Sequence, residues 1–220
     1  MADGKEPLRV RDMKMSDLGG IAELHRSCFT SEISLFSALS PDVLKCYYAM
    51  YVEEPESHAA VLEEPVSGRI VGFVFGTTRA GIKRRFLKRY YLKFFWSVIK
   101  GLFTSRAIWK SLWSRLWGKS GLSLGGYDSL LADAGVPAPE GLEDVCMGIG
   151  VHSDYRGGGN AGKLLDYYVN RVFEKGAVRV RGGVLTSNIA SMTFFKRRGW
   201  EFRRISDTQV SVWFDKPKKD

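Results

Sequence analysis

The sequence has little cysteine, and the few residues present exclude two classes of small protein. Cys28, Cys46 and Cys146 stand far apart among 220 residues, and an odd, scattered set suggests neither a disulfide framework nor a zinc cluster. The chain also lacks a run of 18 apolar residues, because Lys93 and Lys100 interrupt its most apolar stretch, so we expect no membrane-spanning helix. Its first 14 residues lack the apolar core of a secretory signal. We therefore expect a reduced, cytoplasmic protein that holds no metal.

Acidic residues are missing from one segment. Residues 79–119 contain twelve Lys and Arg and no Asp or Glu, which leaves 21 basic and 24 acidic residues in the rest of the chain. The formal net charge of +9 therefore belongs to one segment rather than to the whole molecule. Hydrophobic residues at 45% and charged residues at 26% are ordinary values for a globular protein. The length fits one domain spanning 1–220.

Hydrophobic periodicity predicts strands that alternate with helices after residue 143, which favours a mixed sheet covered by helices. Pro41 suits the first position of a helix, and a Pro- and Gly-containing loop at 64–68 predicts a hairpin. The predicted strands are 8–11, 59–63, 69–76, 146–152, 178–186 and 209–214, and the predicted helices are 17–28, 41–51, 160–175 and 188–198.

A glycine-rich turn lies between the strand that ends near Val151 and the helix that follows. Successive backbone N–H groups and a helix N-terminus bind phosphate oxygens, so the turn predicts a phosphate-bearing ligand. Gly157 to Lys163 matches most of a P-loop, but Leu164 stands where Ser or Thr must reach Mg²⁺. The same glycines match a dinucleotide fingerprint, yet 179–181 lacks the acidic residue that would hold a ribose.

A third pattern, Arg156-x-x-Gly159-x-Ala161, resembles the signature of the GNAT superfamily of acyl-CoA-dependent N-acetyltransferases. The segment from Asn188 to Gly199-Trp200 resembles the second block of that family, and 10–24 resembles its first strand and helix. The resemblance covers about 1–78 and 143–214 in the right order. It implies the α/β (α+β) GNAT fold, a mixed and mostly antiparallel central sheet flanked by helices, with acetyl-CoA as co-substrate.

The resemblance also implies how the donor is held. Backbone amides of the turn would bind the pyrophosphate, the strand before it would pair with the pantetheine arm, and an amide there would stabilise the oxyanion. Phe195 stands where many members carry a Tyr that protonates the leaving thiolate, so the general acid has no candidate. The implied donor-binding residues are Ile149, Gly150, Val151, Arg156, Gly157, Gly158, Gly159, Asn160, Ala161, Gly162, Lys163, Asn188 and Phe195.

Two adjacent carboxylates at the start of the strand are the candidate general bases. Glu143 and Asp144 precede Ile149 by about five residues, where a carboxylate can take the proton of an attacking amine. Surface charge at the edge of a strand is the alternative interpretation of both. His152 is nearby, but it belongs to a turn in which a solvent-facing histidine is common in the family.

The basic segment forms a helical insertion in the predicted domain, at about 79–128, followed by a flexible connection at 118–142. Residues 82–103 place apolar side chains in two neighbouring rows and Arg85, Arg89 and Lys93 on the opposite side, and a second helix follows at 108–119. Aromatic residues combined with cations are typical of an interfacial membrane helix. Packing on the domain, a homodimer interface through 82–117 and a lid over an anionic acceptor remain open. No nucleic-acid-binding module is present.

These patterns together predict an enzyme that transfers an acetyl group from acetyl-CoA to a primary amine of a small-molecule or glycan-type acceptor. An amino sugar is the favoured acceptor, and attack is direct in a ternary complex. The alternative is a non-catalytic acyl-CoA-binding module that docks on a membrane or a protein partner through its basic insertion. The expected location is the cytoplasm, at the membrane periphery if the insertion binds lipid.

Overall fold

A computed structural model describes residues 6–29, 40–79, 81–104 and 136–217. Within these ranges, seven strands form one sheet in the order β1-β2-β3-β4-β5-β7-β6, in which β4 and β5 are parallel and the other neighbours antiparallel. The strands are β1 (Arg9–Asp12), β2 (Ser57–Glu64), β3 (Arg69–Thr77), β4 (Glu143–Val151), β5 (Arg179–Leu185), β6 (Glu201–Arg204) and β7 (Gln209–Asp215). The helices are α1 (Leu18–Cys28), α2 (Pro41–Glu53), α3 (Ile82–Thr104), α4 (Asn160–Glu174) and α5 (Ile189–Arg197).

The sheet confirms the predicted fold class, with two differences in its strands. β4 begins at Glu143, three residues earlier than predicted, because its first residues pair with β5. β6 was not predicted; it is four residues long and mostly exposed, and it pairs only with β7. Short polar edge strands carry little hydrophobic signal.

Helices cover both faces of the sheet, and each face has its own apolar core. On one face, α1, α2 and the start of α3 pack on Phe73 and Phe75 of β3, whose rings meet Tyr48 of α2 edge to face. On the other face, α4 buries Leu164, Leu165 and Tyr168 against β2 to β5. The two faces therefore offer separate environments to neighbouring residues of a strand, since side chains alternate between them.

The cationic side of α3 does not face solvent as expected. Ile82 and Phe86 are buried against α2, as the apolar row requires. The arginines expected on the solvent side also face α2, where Arg85 pairs with Glu54 at 2.6 Å and Arg89 with Glu53 at 2.7 Å. The physical reason is that the acidic C-terminus of α2 lies alongside α3 and draws these cations toward it.

The helix is kinked at Tyr90, whose φ of −122° and ψ of 22° depart from helical values. Beyond the kink, Ser97 is buried and accepts a hydrogen bond from the backbone N–H of Ser40 at 2.9 Å. None of the described helices is long and apolar enough to cross a membrane. The second predicted helix, 108–119, lies outside the described residues, as does most of the predicted connection.

Candidate active site

β4 and β5 lie side by side at one end and separate at the other. Their pairing covers 143–146 and 179–182, although β4 continues to Val151 and β5 to Leu185. The opposite edge of β4 stays paired with β3 as far as Val151. The last part of β4, which carries Ile149 and Gly150, therefore presents an open backbone edge in the middle of the sheet. An extended ligand arm can add to such an edge as another strand would.

The glycine turn follows this edge and leads into α4. Gly157 has φ of +87° and Gly159 φ of +75°, values that L side chains rarely adopt. A Cβ at either position would meet no atom within 4 Å, so the space outside the turn is open to a ligand. Gly159 is the N-cap of α4 and has no side chain to occupy the first-turn N–H groups. Free first-turn amides and the positive end of a helix dipole are the features that bind anions at helix N-termini.

Side chains of the turn fasten it to the strand. Arg156 donates from Nε to the carbonyl oxygen of Val151 at 2.9 Å, and Asn160 donates from Nδ2 to the carbonyl oxygen of Tyr155 at 2.9 Å. Both side chains therefore support the backbone that the sequence predicts as the phosphate cradle. Gly158 and Lys163 are exposed beside it, and Ala161 and Gly162 lie in the first turn of α4.

Arg198 is a cation of this region that sequence reasoning missed. Its guanidinium lies against the start of α4, since a Cβ at Gly162 would come within 2.5 Å of Nη1. The same group pairs with Asp166 of α4 and lies 5.8 Å from the centroid of the Phe194 ring. The available signal was the basic run 196–198, within the segment that resembles the second block of the family. Only the fold shows that Arg198 is the residue of this run that reaches the turn.

The second block places Asn188 and Phe195 at opposite ends of α5. Asn188 is exposed just after β5, and its Oδ1 accepts a hydrogen bond from the Ser191 N–H at 3.0 Å. Phe195 is buried, with its ring 4.7 Å from that of Trp200. The position of the missing Tyr is therefore filled by an apolar side chain packed in the core.

Glu143 lies at the paired end of β4, opposite β5. One carboxylate oxygen is 2.8 Å from Nη2 of Arg181, while its Oε1 and the Nε of Arg181 are buried without a partner among the described residues. Burial raises the pKa of Glu143 above its ordinary value, against the opposing effect of Arg181. Arg179 and Trp213 lie beside this pair, with the guanidinium of Arg179 5.7 Å from the Trp213 ring. The Arg179 guanidinium is itself bound by the carboxylate of Asp215 and the carbonyl oxygen of Pro137, so this part of the sheet is polar and its charges are largely paired.

Asp144 has different surroundings, because it points to the opposite face. It is fully buried, its Oδ2 is 3.0 Å from Nδ1 of His58, and its Oδ1 accepts a hydrogen bond from the Tyr168 hydroxyl. Gly76 makes room for this arrangement, since a Cβ there would fall 2.0 Å from that hydroxyl. Both oxygens of Asp144 are thus held by protein groups.

His152 also has local partners. Its Nδ1 accepts a hydrogen bond from the Asp154 N–H at 3.4 Å, and its Nε2 is 3.4 Å from Nη2 of Arg69. Across the described ranges, no three His, Cys, Asp or Glu side chains are placed to hold a metal ion.

Comparison with known structures recovers the same fold at low sequence identity. The PaiA N-acetyltransferase from Thermoplasma acidophilum, in complex with coenzyme A, aligns with a TM-score of 0.59 and 9% identity over 96% of this chain and 100% of its own. The ribosomal-protein-S18-alanine N-acetyltransferase from Escherichia coli aligns with a TM-score of 0.54 and 10% identity over 95% and 94%. The GNAT domain of S. lividans PAT gives a TM-score of 0.55 and 15% identity over 94% and 90%. No curated protein sequence matches the chain.

The model of the Acetyltransferase (GNAT) family matches residues 134–200. This segment contains β4, the glycine turn, α4, β5 and α5, so the sequence match falls on the open strand edge and the glycine turn described above. Residues 134–200 thus match the GNAT acetyltransferase family in sequence, and the chain has the fold of the GNAT N-acetyltransferases.

Proposed function

We propose that the protein transfers the acetyl group of acetyl-CoA, in the cytoplasm, to a primary amine of a small-molecule or glycan-type acceptor, with an amino sugar favoured. Attack is direct, in a complex that holds both substrates. The observation that carries the proposal is the Glu143–Arg181 pair on the polar part of the sheet, in which the Glu143 Oε1 and the Arg181 Nε are buried and have no hydrogen-bond partner among the described residues.

The donor is held by backbone groups. The amides of 156–163 bind the pyrophosphate, and the open edge of β4 at 149–151 pairs with the pantetheine arm, with Asn188 at the facing end of β5. The open space beside Gly157 and Gly159 and the uncapped first turn of α4 fit this assignment. The bound donor supplies an activated thioester. The protein orients it and keeps water away from the paired strands.

Glu143 is the base in this proposal. An acceptor amine arrives as an ammonium group and must lose a proton before attack, and within the described ranges Oε1 of Glu143 has no hydrogen-bond partner that competes for it. Burial favours the neutral carboxylic acid, so the raised pKa makes this carboxylate a stronger proton acceptor than an exposed one. Asp144 instead positions His58 and Tyr168 on the opposite face.

The leaving thiolate receives no proton from the position of Phe195. That side chain is buried and carries no donor. A thiolate is a tolerable leaving group near neutral pH, so the reaction can proceed without a general acid there. Solvent protonates the thiolate after it departs.

An amino sugar fits the polar surroundings of Glu143 better than a peptide or polyamine does. Arg181 can pair with a phosphate or carboxylate that such a sugar carries, and the flat Trp213 ring can stack on its apolar face. A polyamine would bring positive charge toward this guanidinium group. Segment 82–117 adds a contact outside the active site, with a membrane surface or a second copy of the chain.

The test is release of the CoA thiol from acetyl-CoA with a panel of amines: free and nucleotide-linked amino sugars, a polyamine, and a peptide with a free N-terminus. We expect turnover with an amino sugar, highest when it carries a phosphate. Turnover confined to the peptide or polyamine would overturn the acceptor assignment. Thermal stabilisation by CoA without turnover on any amine would instead support the non-catalytic alternative.

A further inference from the structure

One face of α3 exposes four large apolar side chains in a continuous stripe. Tyr91, Leu92, Phe95 and Trp96 are 61%, 57%, 59% and 59% exposed, and their spacing places them on adjacent turns of one side. The other large apolar residues that are strongly exposed in the described ranges, such as Val66, are separated along the chain. Single exposed apolar residues are normal, whereas a contiguous patch marks an interaction surface. We call this patch the α3 stripe.

The segment 79–119, which contains the α3 stripe, carries cations and no anions. Arg84 and Lys88 are exposed and lie in the turns of α3 just before the stripe, N-terminal to the kink at Tyr90. Arg85 and Arg89 do not contribute, since Glu54 and Glu53 already pair with them. No Asp or Glu occurs anywhere in 79–119. The surface is therefore apolar and positive.

A second copy of the chain is a poor partner for this surface. It would bring another apolar and positive face, and the carboxylates of Glu53 and Glu54 at the neighbouring end of α2 are already paired with arginines. An anionic bilayer complements both the apolar and the positive character of this surface. Aromatic side chains lie at the level of the lipid headgroups, and cations attract anionic lipid. We propose that α3 docks the protein on an anionic lipid surface through Tyr91, Leu92, Phe95 and Trp96, with Arg84 and Lys88 at the headgroups.

The docking surface is tested with the full chain and vesicles of phosphatidylcholine, with or without phosphatidylserine, at low and high salt. We expect sedimentation with the phosphatidylserine vesicles, weakened by salt because the attraction is screened. Arg84→Gln with Lys88→Gln should lower partitioning roughly 25-fold, at about fivefold for each charge. Phe95→Ser with Trp96→Ser should lower it by roughly tenfold or more.

Matched controls test whether lipid binding depends on the stripe itself or on exposed apolar residues and positive charges anywhere on the surface. Val66→Ser removes an even more exposed apolar residue, and Lys14→Gln with Lys175→Gln removes two exposed cations elsewhere. Both should partition like the wild type, and every variant should keep its stabilisation by CoA. Absence of vesicle binding overturns the proposal, as does wild-type partitioning of the stripe variants. A dimer that the stripe substitutions dissociate, without lipid binding, also overturns it and assigns the stripe to a second copy. Acetyl transfer is measured separately, so none of these outcomes bears on it.

Discussion

At the scale of single residues, two neighbouring carboxylates should respond differently to the loss of their charge. Glu143→Gln removes the proposed base and should lower kcat/KM by about 100-fold or more, and it should also cost stability because Arg181 loses its buried partner. Asp144→Asn should mainly destabilise the protein, because it disturbs a buried hydrogen-bonded group. Amine acetylation and urea unfolding of both variants check this. Equal loss of activity in the two variants would contradict the assignment.

The pH profile gives a second readout of the same pair. Glu143 must be ionised to accept a proton, so kcat/KM of the wild type should rise with pH through a pKa above the ordinary carboxyl value. This rise of kcat/KM with pH should be absent from Glu143→Gln and still present in Asp144→Asn.

His25 should make stability depend on pH. Its ring is buried, Nδ1 is 2.7 Å from the Tyr48 hydroxyl, and burial lowers the pKa to about 4 from 6.5. Between these values the unfolded chain binds a proton that the folded protein does not. The free energy of unfolding should therefore fall as pH falls from 6.5 toward 4, by at most about 1.4 kcal/mol per pH unit. Urea titrations of His25→Gln should show a smaller decrease, while His152→Gln, near the surface, serves as the control.

The glycine turn between β4 and α4 could be located from the sequence, and its donor-binding role stays a prediction, whereas the two carboxylates could not be distinguished. The turn is a local pattern, and its residues are adjacent in the chain. The surroundings of Asp144 come from His58, 86 residues away, and from Tyr168. Adjacent positions of a strand face opposite sides, so the choice depends on which helix covers each face.

At the scale of elements, the two ends of α4 provide a matched pair of glycines. Gly159 and Gly176 both have positive φ, and a Cβ at either would meet nothing within 4 Å. Valine at either position should cost similar backbone strain. CoA at 100 times its Kd should stabilise the wild type and Gly176→Val by about 2.7 kcal/mol. Gly159→Val should lose this shift in thermal unfolding with CoA. Retained stabilisation would place the pyrophosphate elsewhere.

The two sides of α3 should contribute unequally to folding. Phe86 is fully buried between α2 and the sheet, so Phe86→Ala should destabilise the protein by about 3–5 kcal/mol. Trp96→Ala, on the exposed side, should change the free energy of unfolding by less than about 0.5 kcal/mol. Denaturant unfolding of both variants measures this. Comparable losses would mean that the exposed side is also packed.

Periodicity predicted α3 and its buried row but not the location of its arginines. Arg85 and Arg89 are opposite the apolar rows in the sequence, which favours solvent. The acidic end of α2, 31 and 36 residues earlier, provides their partners. The sequence alone does not show that α2 lies alongside.

At the scale of the whole molecule, the excess charge is partly neutralised within the fold. The segment that carries it also provides Arg85 and Arg89, which pair with α2 and fasten the helix to the domain. Among the side chains of this segment that the structure describes, Arg84 and Lys88 stay exposed in the turns before the α3 stripe. The same segment thus serves both packing and the outer surface, so its deletion would remove Phe86 from the core.

The separation of β4 from β5 has a consequence for the dynamics of the unliganded protein. Alternate amides of 147–151 point away from β3 and have no β5 partner among the described residues. These amides should exchange with deuterium quickly in the free protein, while their neighbours bonded to β3 are protected. Acetyl-CoA should slow them selectively in an NMR exchange measurement, and uniform slowing of the whole sheet would contradict this. The bound donor would then complete the sheet as an additional strand does, and the free edge of β4 would be exposed again after each turnover.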